Sequence, residues 1–335
     1  MLGGRGHFGG LVARSLAREA RFEVLVPERA TLEIGTADFA RNLAALRPQA
    51  VVHAAGPFIP GDHSVARACI EAGAHCVDLA DSRGFVCEAG ELDALARSAG
   101  VLVVSGASSV PGLSSAVVDR YARDFAHLAA IDMGIASSSR LPGVGTVRSV
   151  LGYAGRPIAG GRRGWTGLRR HRFRHGPLTC WLCDCDVPDL ELFARRYPGL
   201  RSVRFSAGTE VALLQWGLRA FAGLAAMGLV RDPAGWAPLM HRAGRAFERF
   251  GKGRSAMFVT LHGFDRQGVA LARHWELHAD GHRGVEVPTL AAVALVRKLA
   301  DGSLAERGSM PCLGLLSLDE WQAGMDPACM RMAVD

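Results

Sequence analysis

The chain shows no internal repeat and no low-complexity segment, so solenoid and fibrous architectures are excluded. It also lacks an uncharged apolar run long enough to cross a bilayer. The longest such stretch, Val211 to Val230, carries Gln215 and Arg219. A mid-helix arginine costs roughly 2.5–3.5 kcal/mol on insertion scales. The stretch therefore reads as a buried or interfacial helix, with membrane-surface binding as the rival reading. The eight cysteines, at 69, 76, 87, 180, 183, 185, 312 and 329, lack a regular spacing. Reduced thiols and a cytoplasmic location are expected. A glycine-rich turn already begins at residue 3, which leaves no room for the charged and apolar regions of a secretory leader.

What is present is a chain of 335 residues, 49% hydrophobic and 21% charged, enough for two domains with a sizeable core. Lys and Arg exceed Asp and Glu by seven, which favours anionic partners without requiring nucleic acid.

The first hundred residues alternate strand-like and helix-like segments. Phe8, Leu11, Val12 and Leu16 recur at helical spacing. FEVLV (22–26) reads as a strand, TADFARNLAALRP as a helix, AVVHAAG (50–56) as a strand, and DHSVARACIEAG as a helix closed by Gly73. HCVDLAD, AGELDALARSAG and VLVVSGA continue as strand, helix and strand. This alternation predicts an α/β fold of Rossmann type, a doubly wound parallel sheet with its first strand truncated. From about 127 to 285 the rhythm changes to longer strands. SAMFVTLHGFDRQGVALARHWELHA reads as a hairpin turning at Asp265 to Gly268, RSVRFSAG as a strand, and 209–250 as two helical stretches. VPTLAAVALVRKLADG returns to a helix, with Pro288 in its first turn and Gly302 at its end. The expected domains are therefore 1–126, dinucleotide-binding; 127–285, α+β, for substrate or dimerisation; and 286–335, packing back on the first.

Gly4, Gly6 and Gly9 in MLGGRGHFGG fit G-x-G-x-x-G, the turn that brings a helix N-terminus onto a pyrophosphate. Alone this spacing is weak; a glycine-rich structural turn that binds nothing is the alternative. After VLV come Glu28, suited to a ribose 2′-hydroxyl and NAD, and Arg29, suited to a 2′-phosphate and NADP. Both also read as solvated turn charges.

GGRGHFGG, VVHAAGPF with ACIEAGAHCVDLAD, and AGVLVVSGASSVPGLSSAVVD together resemble the saccharopine dehydrogenase-like oxidoreductases. CDVPDLELFARRYPG, VRFSAGTE and MPCLGLLSLDEW resemble the uncharacterised bacterial branch, so the resemblance covers nearly the whole chain. It implies a Rossmann domain, an inserted α+β substrate domain and use of a nicotinamide cofactor, NADP with NAD as the alternative. It also implies hydride transfer to or from a C–N, C=O or enoyl-type substrate between the domains. By the same resemblance His7 and Phe8 lie on the loop over the pyrophosphate. Ala55, Gly56, Pro57 and Phe58 pass beside the ribose and lead toward the nicotinamide.

Two departures weaken the adenosine side. Only Met1 and Leu2 precede the glycine turn, so a true start several residues upstream, supplying the first strand, is expected. Only Pro27 to Thr31 separate FEVLV from LEI (32–34), too few for a parallel crossover. Either LEI is not the third strand or a helix has been lost.

No motif names the group that exchanges the proton. Asp78 and Asp81, at a strand's carboxyl end, are the best-placed acids, with a capping role as the alternative. His171, His175, Asp184 and Asp186 read as structural or surface residues. Cys180, Cys183 and Cys185 invite a zinc reading, but no second pair follows at suitable spacing, and no metal is expected. The basic stretch 162–175 reads as a solvated hairpin or a loop attracting an anionic substrate. The expected partners are a small molecule, with an anionic one favoured, and a second copy of the chain in a homodimer; neither nucleic acid nor membrane is expected. The rivals to the enzyme reading are a non-catalytic NAD(P)-binding sensor or scaffold and a membrane-surface protein using the helix at 211–230.

Overall fold

The computed structural model describes residues 1–335. In chain order the elements begin α1 (His7–Leu16), α2 (Phe39–Ala45), β1 (Ala50–His53), α3 (Ser64–Glu71), β2 (His75–Asp78), α4 (Arg83–Cys87), α5 (Asp93–Ser98), β3 (Leu102–Ser105) and α6 (Ser114–Tyr121). There follow β4 (His127–Ser137), α7 (Val144–Gly152), β5 (Arg169–Arg172), β6 (Thr179–Asp184), α8 (Asp189–Arg196), β7 (Ser202–Thr209), α9 (Ala212–Ala226), α10 (Ala237–Arg245), β8 (Ser255–Phe264) and β9 (Ala270–Ala279). The last are α11 (Val287–Ala300), β10 (Gly308–Pro311), α12 (Leu318–Ala323) and β11 (Met330–Val334). Two compact units result: residues 1–116 with 286–324, and residues 117–285 with 325–335.

The first unit is built on a parallel sheet in the order β1-β2-β3-β10. β1, β2 and β3 are short, mostly apolar runs because helices cover both faces, while β10, GSMP, is not apolar. Val51, Cys76 and Val103 face Phe39, Leu43, Val65, Cys69 and Ala96 from α2, α3 and α5. α11 packs against α1 and β2. Its first turn holds Pro288, and Gly302, at φ +69°, follows its end. Arg297 binds Glu19 at 2.7 Å.

The position of the first strand is held by Leu2, which bridges His53 in parallel. Leu2 N donates to Val52 O at 2.9 Å and Ala54 N to Leu2 O at 3.0 Å. The expected strand at 22–26 does not form: FEVLV forms no β-ladder. A strand there requires a ladder partner, and what reaches it is the Met1 amino group, on Leu25 O at 2.8 Å. LEI is not a strand either; the chain turns through it and buries Leu32 in the core.

The second unit holds a seven-stranded sheet in the order β11-β9-β8-β4-β7-β6-β5, antiparallel except for β4–β7. The β8–β9 hairpin turns where expected. Asp265 Oδ1 accepts the amides of Gln267 and Val269, each at 2.9 Å, and Gly268 takes φ +78°. The sheet curls on itself. His171 of edge strand β5 stacks on Phe258 of β8, with ring centroids 4.0 Å apart. Arg169 makes two 2.7 Å bonds to Asp132 of β4. Gly134 on β4 leaves the space for the Phe258 ring, since a Cβ there would stand 2.6 Å from its edge.

The curl is locked by Glu276, fully buried on β9. It accepts the amides of Arg174 at 2.7 Å and His175 at 2.9 Å, and the Nε2 groups of His274 and His278 at 2.8 Å each. Burial opposes the charge on Glu276, but these four donors outweigh it and hold the carboxyl well below its usual range.

Candidate nucleotide site

The glycine turn lies between Leu2 and α1. Its tight point is Gly3, at φ +72°, and a Cβ on Gly3 would stand 2.8 Å from Ala54 C and Ala55 N. Gly4 packs under Val26, whose Cγ1 lies 2.8 Å from where its Cβ would be. Gly6 is the extended residue before α1; its amide donates to Gly3 O at 2.9 Å, and its carbonyl accepts Gly10 N at 2.9 Å. A Cβ on Gly9 would collide with Gly3 O. The turn therefore divides its work differently from the motif. Gly3, which the spacing did not select, takes the positive φ, while Gly9 allows helix and turn to touch.

No side chain caps α1. The first intrahelical amide is that of Gly10, so the amides of His7, Phe8 and Gly9 have no helical acceptor. His7 is exposed and Phe8 half-buried, their rings edge-on at 5.4 Å. These amides, at the positive end of the helix dipole, are suited to an anion.

Glu28 comes back beside this turn, where it binds Arg5 at 2.7 Å with both side chains exposed. Arg29 lies further out against Glu33, at 3.3 Å. Arg5 escaped the sequence reading; its position inside the glycine turn was the available signal.

Ala55, Gly56, Pro57 and Phe58 follow β1, and Ala54–Ala55 lie directly against Gly3. Gly56 and Pro57 are exposed. Phe58 packs between His53, with centroids 4.9 Å apart, and Phe85, at 5.3 Å. Burial pushes the His53 imidazole down to about 4, so it is neutral at pH 7. Its Nδ1 accepts Ala55 N at 3.4 Å.

At the carboxyl ends of β2 and β3, Asp78 is buried. Its Oδ1 accepts Gly106 N at 2.8 Å, Ala80 N at 2.9 Å and Ser105 Oγ at 3.1 Å. Burial, only partly offset by these donors, raises its carboxyl to about 6. Asp81 is half-buried, and burial raises its carboxyl too. The 105–112 segment is wholly buried. Gly106 takes φ +76° against Pro111, and Gly112 lies under Trp321 and Cys312. Burial pushes the Cys312 thiol up to about 12, so it packs as a neutral side chain.

The second unit gathers the other singled-out residues differently. Cys180 and Leu182 point to the core face of β6, so strand alternation sends Cys183 to the opposite face, and burial raises its thiol pKa. Cys185 contacts the Tyr153 hydroxyl at 2.7 Å. Asp184 binds Arg204 at 2.8 Å, and His175 faces Asp335 at 3.0 Å. Arginines of the 162–175 stretch are drawn onto carboxylates, Arg169 on Asp132 and Arg174 on Asp335. No helix is long and apolar enough to cross a membrane.

No protein-family model and no curated protein matches the chain. The fold is of Rossmann type with two domains: a parallel sheet with helices on both faces, and a second unit on a mixed sheet. It is shared with the apo saccharopine dehydrogenase (L-Glu forming) from Saccharomyces cerevisiae, at a TM-score of 0.55, 12% identity, and coverage of 88% of this chain and 87% of that one. A meso-DAPDH variant with DAP, from Clostridium tetani E88, is similar at TM-score 0.48 and 12% identity over 96% and 94% of the two chains. An amine dehydrogenase from Mycobacterium smegmatis gives 0.46 and 13% over 92% of each.

Proposed function

We propose that this chain is an NAD(P)-dependent oxidoreductase acting on a small C–N, C=O or enoyl-type substrate, with NADP the favoured cofactor. The observation that carries the reading is the contact of Gly9 with Gly3, which sets the uncapped end of α1 beside the Ala54–Ala55 backbone. A cradle that a single Cβ would fill suits the close approach of a pyrophosphate. The amides of His7, Phe8 and Gly9 would hold the phosphates. Arg5 and Arg29 would meet a 2′-phosphate, with Glu28 as the competing carboxylate.

When bound, the cofactor supplies or accepts a hydride. The chain's own part is to orient the reactants and to hold a proton. Asp78 positions the turns after β2 and β3. Asp81, less buried and with a raised pKa, is the candidate proton donor. The burial of Asp78 under three donors favours one second reading, a cofactor-binding protein without turnover.

Two measurements on the full chain test this. Quenching of intrinsic tryptophan fluorescence by NADPH, and more weakly by NADH, is expected. Binding of neither overturns both readings. Loss of reduced-nicotinamide absorbance with an imine, keto acid or enoyl compound supports the enzyme. Binding without any turnover leaves the sensor.

A further inference from the structure

The helix singled out at 211–230 presents its faces in an unusual order. Gln215 is buried and donates to Ala207 O at 3.2 Å on β7, and Arg219, one turn on, is half-buried on the same side. The opposite stripe, Leu213, Trp216, Ala220, Leu224 and Met227, is exposed and wholly apolar. Leu213 is 62% exposed and Met227 67%. A surface helix ordinarily turns such a stripe to the core. Here Gln215 joins Phe221 and Ala222 on the buried face, so α9 is apolar on both sides and one apolar stripe faces water.

The neighbouring chain extends this character. Phe221 packs on Trp236 at 6.0 Å, and Trp236, Leu239 and Phe250 are all exposed. Trp236 thereby adjoins α9, and exposed apolar groups of this number mark an interaction surface. The charge is one-sided: from Ala212 to Arg254 there are seven Lys and Arg against two Asp and Glu. Both acids are engaged, Asp232 with Gly235 N and Glu248 with Leu141 N. Arg231, Arg242, Arg245 and Arg249 are exposed.

We infer that α9, with the segment through α10 to Phe250, docks on an anionic lipid surface. Apolar side chains with two amphipathic tryptophans enter the headgroup boundary, and the arginines meet lipid phosphates. This departs from the sequence expectation of no membrane partner. It describes surface binding, since no helix is long enough to span. A second copy of the chain is the disfavoured occupant, because an isologous contact would set these arginines near their own symmetry mates.

The test is co-flotation of the full chain with phosphatidylcholine vesicles, with and without phosphatidylglycerol. Binding is expected with the anionic vesicles and is expected to weaken as salt rises. Leu213→Glu/Met227→Glu and Arg242→Glu/Arg245→Glu should each lower the bound fraction on the order of tenfold. Both variants should keep the wild-type melting curve and NADPH binding, so the outcome is independent of the proposed function. Three results would overturn the inference: no flotation with anionic vesicles, flotation indifferent to both variants, or a dimer in sedimentation that Leu213→Glu/Met227→Glu splits.

Discussion

The Asp78 carboxylate holds the Gly106 amide at 2.8 Å, and through it the turn after β3. The bond is buried, so truncation strands donors rather than freeing them to water. Asp78→Ala should cost about 2–4 kcal/mol in chemical denaturation. Asp78→Asn keeps an acceptor at Oδ1 and should cost much less.

The same carboxyl gives a pH dependence whose sign is set by its upward shift. With a folded value of about 6 against an unfolded value near 4, its contribution to stability is full below pH 4. It is lost as pH rises through 6. Thermal melts between pH 4 and 7 should therefore show Asp78→Asn gaining on wild type as pH rises, by up to about 2–3 kcal/mol. A difference that does not vary with pH would show that Asp78 is charged throughout.

Glu276 makes the opposite prediction. Its carboxyl is held low despite burial, so its contribution is present above the unfolded value and lost as pH falls below it. Glu276→Gln replaces one acceptor oxygen by an amide group facing a donor. It should cost about 2–4 kcal/mol at pH 7. The gap to wild type should narrow at pH 4 and below, as read by urea titration at each pH.

Three strands of the first unit's sheet were readable because apolar runs such as AVVH and LVVS need no tertiary information to look like buried strands, whereas β10, GSMP, carries no such run and went unread. FEVLV has a similar apolar composition and fails, because a strand also needs a ladder and what reaches it is the Met1 amino group on Leu25 O. The hairpin at 255–279 was readable from its turn residues. The curl of the second sheet was not, since it rests on Glu276 meeting amides about a hundred residues earlier in the chain. Within the candidate site the glycines were visible as a spacing, but the choice of Gly3 for the positive φ depends on Ala54 and Ala55 crossing behind it. The apolar character of α9 was plain; which face it turned outward was not, because Gln215 finds its partner on β7.

Under the proposed function, cofactor preference would turn on the Arg5–Glu28 pair, exposed and 2.7 Å apart. Such pairs contribute about 0–1 kcal/mol, so removing one partner costs the fold little. Glu28→Ala should release Arg5 and remove a like charge from a 2′-phosphate. It should tighten NADPH by a factor of about 3–10 relative to NADH in parallel fluorescence titrations. An equal effect on both cofactors would place Glu28 away from the 2′ position.

Under the proposed function, the Gly3–Gly9 contact builds a dinucleotide site at the end of α1. Calorimetric titration of NADPH into the wild-type chain and into Gly9→Ala, with circular dichroism to confirm folding, is the decisive measurement. Saturable binding to wild type is expected, with a loss of at least about tenfold in the folded variant, because the added methyl meets the Gly3 carbonyl. A wild-type chain that binds neither NADPH nor NADH, or a variant that binds as tightly as wild type, would contradict this reading.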